Sequence, residues 1–303
     1  MKTQNKCLAF RSSVAIGVIC FILITPTLSL SWGAGGHMIT AQIAFDRLNP
    51  RAKAQVRTLL AIPIDPAAVT RRSRNFVNAS HWADDLRPFP EFDSFKALHF
   101  IDKPFSDDGT PLPTVAPPDV VTALEDNLNI LKTSTDNNAR AQALRFIIHF
   151  VGDIHQPLHC ATRVSAALPE GDRGGNEVKV KIRQPNGTTK TTNLHSYWDG
   201  GIGSFPKTGP NFRPPPLSQI PPAAALAKRG NPASDPALNL NNPTDFAGWA
   251  GESNTLAKDV AYKGISNNAR PTAAYNRAAR RVVRKRVAWG GYRLAALLNS
   301  IWP

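Results

Sequence analysis

The sequence predicts a single, mainly helical domain that carries one small β-hairpin. Three observations predict it: five stretches repeat apolar residues at helical spacing, one stretch alternates as strands do, and no internal repeat or compositional break divides the chain.

The elements follow in chain order. Lys2, Lys6 and Arg11 precede the apolar run VAIGVICFILI, and the segment closes on the small residues Ser29 and Ser31. That succession is a secretory signal peptide cut after Ser31, its apolar run being shorter than the roughly 20 residues that cross a bilayer. The expected division is therefore 1–31 signal peptide and 32–303 folded domain, with Trp32 as the first mature residue and no membrane anchor after cleavage. HMITAQIAFDRL (37–48) has helical spacing and stops at Asn49-Pro50, which starts a second helix, PRAKAQVRTLL. Residues 118–133 open on Pro-Asp and form an amphipathic helix. Residues 137–152, NNARAQALRFIIHFVG, form the most apolar helix, expected at the centre. Residues 177–194 alternate around an Asn186-Gly187 turn and make the hairpin. Residues 203–243, rich in Pro, Ala and Asn, are expected to be an irregular surface excursion. From 271 to 298 the chain is helical again. In RAARRVVRKR (277–286), Val282, Val283 and Val287 mark a buried stripe and the cations a solvated face.

Charge and cysteine content narrow the class. The chain of 303 residues carries a formal charge of +14; the leader holds three of the cations and no acid, which leaves +11 on the rest. Such an excess favours a polyanionic partner, nucleic acid or an anionic surface. Of the three cysteines, Cys7 and Cys20 leave with the leader and Cys160 has no partner within the chain. An exported domain must then be held by its core or by metal rather than by disulfides.

The histidines carry the chemistry. In HFVGDIHQPLH, His149 and Asp153 are four apart on the apolar helix, so both lie on one face and can share a cation. His159 follows Gln156-Pro157, where a turn can bring it back toward the same place. His195 and Asp199 repeat the four-residue spacing in NLHSYWDGG, and His99 with Asp102 in HFID and Asp84-Asp85 in HWADD add further donors. Imidazole and carboxylate mixed in this way suit zinc, and so many ionisable groups among apolar neighbours are costly unless a cation neutralises the carboxylates.

WGAGGH, WADD, HFID, HFVGDIHQPLH, GGN, NLHSYWD and a closing RLAALLN helix occur in this order along most of the mature chain. Together they resemble the zinc-dependent, single-strand-preferring nucleases of the S1/P1 type, which share a fold with zinc-dependent phospholipase C. The resemblance implies a mainly helical fold around a cleft holding three zinc ions. It gives one zinc to Asp84, His99, His149 and Asp153, a second to His159, His195 and Asp199, and a third to Trp32 and His37, with Asp153 bridging. Trp32 would chelate through its free α-amino group and carbonyl oxygen, so leader removal would also complete the site. Asp102 would orient or deprotonate the attacking water, Arg87 would hold a phosphate oxygen, and Phe100 would stack on a base. Asn176 would either hydrogen-bond a base or support a ligand. His81 and His155 would be structural.

The activity implied is cleavage of single-stranded DNA and RNA to 5′-phosphate ends, with 3′-nucleotidase activity, by a secreted or periplasmic monomer. The disulfides of plant and fungal members cannot form here, and the stretch between His159 and His195 is longer than in the fungal ones. Gly201 stands where relatives often carry a polar side chain that contacts the base. Two other readings compete. A phospholipase C or broader phosphodiesterase on the same scaffold is disfavoured by Asp199, where that branch usually has Glu, and by the basicity. A zinc-storing exported protein would need neither Asp102 nor Arg87.

Overall fold

Asp136 accepts a hydrogen bond from the backbone N–H of Asn138 and so caps the helix Asn137–Asp153, in which every residue from Ala143 to Asp153 is buried. This is the central helix of the computed structural model, which describes residues 32–303 apart from 65, 67, 68, 70, 185, 208 and 210–212. The expected signal peptide lies outside the described residues. Packed against the central helix, among others, are Ala34–Arg47, Pro50–Ala61, Trp82–Asp85, Val120–Thr133 and Ala273–Ile301. Each begins as its sequence directs. Asn49 caps the second helix ahead of Pro50, and Asp119 and Thr122 close a reciprocal capping box on Val120–Thr133, each satisfying N–H groups that have no partner within the helix.

The first and last helices form the most extensive helix pair. Thr40 donates to Val287 O, and Asn49 is hydrogen-bonded to both Asn299 and the carbonyl of Trp302. The apolar interior divides into two large clusters, one around Trp82, Phe146 and Phe150, the other around Trp32, Trp198 and Val287. The metal-binding candidates lie on the elements between them.

The hairpin forms as expected, Lys179–Arg183 pairing antiparallel with Thr189–Asn193. A short parallel pair, Pro104–Ser106 with Thr162–Val164, forms the other two-stranded sheet among the described residues. Two expectations need correction. The 203–243 stretch is not wholly irregular: Ile220–Lys228 is a helix that packs on the first and last helices and buries Ile220, Ala224 and Ala227. Its two prolines occupy the first turn, where no N–H is needed, and its alanines favour helix. In 277–286 the cations are not all solvated. Arg280 donates to Ile202 O, and Arg286 is 1% exposed and bonds Glu252, Ser253 and two backbone carbonyls. A further helix, Phe246–Leu256, buttresses the end of the central one, Ser253 donating to Ile154 O and Asn254 to Lys103 O and Cys160 O.

Candidate metal centre

Three groups of side chains offer ligand atoms within 4.8 Å of one another: a first of Asp84, His99 and His149; a second of His159, His195 and Asp199; and a third of His37, His149 and Asp153. The elements place them simply. His149 and Asp153 share one face of the central helix, and His99 ends the 3₁₀ run Pro90–His99. Asp84 sits in the turn Trp82–Asp85, and His37 lies on the first helix. That helix comes so close that a Cβ on Gly152 would sit 2.5 Å from His37 Nδ1, so only glycine admits it there.

Around the first group, His99 Nδ1, His149 Nε2 and Asp153 Oδ2 stand 3.0 Å from one another, and Asp84 Oδ1 lies 3.9 and 3.8 Å from the two imidazoles. A tetrahedral zinc site with metal–ligand distances of about 2.0–2.1 Å has edges of about 3.3–3.4 Å, within the span of these five separations. Asp153 turns its other oxygen toward His37 Nε2, at 3.3 Å, and the His37 and His149 rings stack at 4.0 Å. One carboxylate thus faces two groups.

Backbone carbonyls set the tautomers. His149 Nδ1 lies 2.7 Å from Ser80 O, His159 Nδ1 2.7 Å from His99 O, and His195 Nδ1 2.8 Å from Gly174 O. Each Nδ1 is therefore the protonated nitrogen, and each Nε2 turns a lone pair toward the aspartates, the arrangement that suits a metal ligand. Nε2 of His159 and His195 lie 3.9 and 3.7 Å from Asp199 Oδ1. Both nitrogens and Asp199 Oδ2 are buried without a hydrogen-bond partner. Buried polar atoms left so are costly, and a cation among them removes that cost; the residues present fit the metal.

Electrostatics agree with that fit. Burial would raise Asp84, yet Arg87 and His149 hold its carboxyl well below the usual range. Asp153 is likewise held low against its burial, by His149 and His159. Burial drives His37 down to about 4 and His195 to about 3, so both are neutral donors at physiological pH. Asp199 is pushed well above the carboxylate range by burial; its Oδ1 accepts a hydrogen bond from Gln156.

The other expected site residues are distributed around these groups. Arg87 is paired with Asp84 at 2.7 Å. Phe100 is half-buried and belongs to neither large apolar cluster. It lines a cavity of about 190 Å³ together with Asp102, Val115, Asp119, Thr162 and Glu170. Burial, then the charge of Asp172, raise Asp102 to about 6. Trp32 is fully buried with its ring edge-on to Phe205, and the next residue, Gly33, donates to Asp199 O. Asn176 donates to Arg173 O and accepts from Asn193, whose own oxygen caps the helix Leu194–Asp199 that carries His195 and Asp199. Asn176 thereby holds the residue that starts that helix. His155 lies between Val151 O and Arg293, and His81 pairs with Asp85, both outside the three groups.

Sequence reasoning missed Asp172. Its Oδ1 accepts from Arg163 N, Gly175 N and the Tyr262 hydroxyl, pinning the loop that presents Gly174 O to His195. The signal was available: Gly-Asp-Arg-Gly-Gly is glycine-dense, and Gly171, Arg173, Gly174 and Gly175 all take positive φ. Gln156, whose amide donates to Asp199 Oδ1, is a second residue that the spacing does not reveal.

Comparisons with known proteins extend these findings. The family profile described as S1/P1 Nuclease matches residues 32–303. The chain is similar to Endonuclease 3 of Arabidopsis thaliana, 29% identical over 304 residues that cover 96% of each chain. It is similar to Nuclease S1 of Aspergillus oryzae, 25% identical over 92% of this chain and 94% of that one. With Nuclease P1 of Penicillium citrinum it shares 27% identity over 55% of this chain and 57% of the other.

Proposed function

Because the chain belongs to the S1/P1 nuclease family and is thereby a phosphodiester hydrolase acting on nucleic acid, we propose that it is a zinc-dependent endonuclease of single-stranded DNA and RNA with 3′-nucleotidase activity. In this reading residues 1–31 are removed on export to the periplasm or medium, and residues 32–303 work as a monomer. Asp84, His99, His149 and Asp153 would hold one zinc, and His159, His195 and Asp199 a second. The amine and carbonyl of Trp32 would hold a third with His37, Asp153 bridging. The observation that carries the reading is the common orientation of His149, His159 and His195, each anchored through Nδ1 to a carbonyl with Nε2 toward an aspartate.

Bound there, zinc supplies Lewis-acid polarisation of the phosphate and of a water beside it. The chain's own residues do the rest. Asp102, raised to about 6, accepts the proton of the attacking water near neutral pH. Arg87 offers its guanidinium charge to a phosphoryl oxygen and offsets the charge that grows there. The water oxygen bonds to phosphorus as the bond to the 3′ oxygen breaks, and that oxygen takes a proton from solvent, leaving 5′-phosphate and 3′-hydroxyl ends. Phe100 stacks on the adjacent base, a contact worth about 1–3 kcal/mol and indifferent to sequence. The ligand side chains of the central and first helices are fully buried, so a phosphate must be brought inward; a flexible strand can do this and a stiff duplex cannot.

The test uses protein that begins at Trp32, stripped with chelator, with hydrolysis of denatured and duplex DNA followed before and after zinc is returned. Zinc-restored activity that strongly favours denatured strands is expected. No hydrolysis by folded, zinc-loaded protein would overturn the reading and favour phospholipase or storage.

A further inference from the structure

The hairpin between the second-group histidines has no part in the chemistry above, yet its charge is one-sided. Residues 178–194 contain Lys179, Lys181, Arg183 and Lys190 and no acid. The register puts Lys179, Lys181 and Arg183 on one face, opposite Asn193, Thr191 and Thr189. Lys181, Arg183, Thr189 and Thr191 are exposed, while on the reverse Val180 is buried and Ile182 packs against the apolar cluster around Trp198. Arg270 is exposed and reaches Thr189 Oγ1 at 3.5 Å, joining the same patch.

Among the described residues none of these five cations has a carboxylate within ion-pairing distance, whereas neighbours elsewhere do, such as Arg173 with Glu177 and Lys285 with Asp235. The face is also held rigid. Lys181 N donates to Ala269 O and Asn268 N to Lys179 O, so the segment before Arg270 lies alongside as a third chain. At its other end the second strand runs into Asn193, the cap of the helix bearing His195 and Asp199. Five residues of strand extend about 17 Å from that cap.

We propose that this face, Lys179, Lys181 and Arg183 with Arg270, is a docking track for the sugar-phosphate backbone of the substrate strand outside the cleft. The proposal rests on the nuclease reading. Cations on a rigid strand, spaced two residues apart and interleaved with threonine hydroxyls, suit a chain of phosphates, which accept from both. An anionic membrane would call for apolar side chains between the cations, and this face has none. The track gives long strands an affinity that short substrates lack and leaves the chemical step alone.

The test compares the parent with K181Q/R183Q/R270Q. Binding of a labelled oligothymidylate of about 20 nucleotides to chelator-stripped protein is followed by fluorescence anisotropy over a salt series. The slope of log affinity against log salt should become shallower by about 2, three charges at about 0.7 each. Affinity at low salt should fall about tenfold or more, with kcat/KM for a dinucleotide on the zinc-loaded protein unchanged. An unchanged slope would overturn the proposal, as would oligonucleotide binding that survives while binding to phosphatidylserine vesicles is lost. The exchange variant K181R/R183K/R270K should bind as the parent does; a loss equal to that of the glutamine variant would show that charge is not responsible. Binding is read without turnover, so a protein that cleaves nothing but keeps the slope difference would fail the nuclease reading and not this one.

Discussion

Replacing Gly174 by alanine tests how the second group is built. Gly174 holds φ at +64° and gives its carbonyl to His195 Nδ1. A Cβ there would overlap Leu158 O, the residue before His159, and lie 3.1 Å from His195 Nδ1. The left-handed backbone costs alanine about 1–2 kcal/mol, and the overlap, like other overpacking, about 1–3 kcal/mol more. A loss near 3 kcal/mol lowers the melting midpoint of a domain of about 270 residues by roughly 5 °C. The structure can escape part of this only by moving Leu158 or the loop, which displaces His159 or His195. Metal affinity at that group should then fall about 10–100-fold, as for other residues that orient a metal-bound histidine. The assay is a competitive zinc titration with a chromophoric chelator, with thermal melts in chelator and in zinc. A variant that melts within about 2 °C of the parent and takes up zinc with unchanged affinity would refute the reasoning.

Three further outcomes follow from other parts of the molecule. kcat/KM should rise with pH through about 6 as Asp102 ionises, and Asp172→Asn should shift that limb downward by removing a like charge; an unmoved limb would exclude Asp102 as the titrating group. Glu252→Gln leaves Arg286 and Arg293, each 1% exposed, without their carboxylate. It should cost about 3 kcal/mol in urea unfolding, the low end for a broken buried pair because Glu252 itself is one-third exposed. Burial alone would raise the Glu252 carboxyl, but Arg293 and Arg286 hold it below its ordinary 4.5. Its stabilising effect is therefore complete above pH 4.5 and disappears as pH falls through the lowered value, so parent and variant should converge in strong acid. Cys160 is buried and its thiol pushed up to about 12, so a thiol reagent at pH 8 should label the protein only after denaturant is added; rapid native labelling would contradict the packing.

The clustering of these histidines and aspartates was legible because its signal is local. His149 and Asp153 sit four apart on a helix, and so do His195 and Asp199, a spacing that makes neighbours of them before any tertiary structure is known. The atoms that orient them were not, since Ser80, His99 and Gly174 act through backbone carbonyls, which leave no mark on residue type. Pro221 and Pro222 read as breakers, although at a helix start they are favourable. Phe246–Leu256 went unread because Gly248, Gly251, Ser253 and Asn254 weaken its helical signal and packing overrides it. Arg286 looked solvated because its carboxylate, Glu252, is 34 residues away on another helix.

The pairing of the first and last helices fixes an order of events during synthesis. His37 stands on a helix whose contacts include Val287 and Asn299, about 250 positions downstream. Until the final helix has emerged, the first lacks its most extensive packing partner and has only its smaller contacts with the central helix and its neighbours. The packing around His37, His149 and Asp153 is therefore complete only when segments about 250 positions apart in the chain have met, so this group depends on one of the longest-range contacts in the fold.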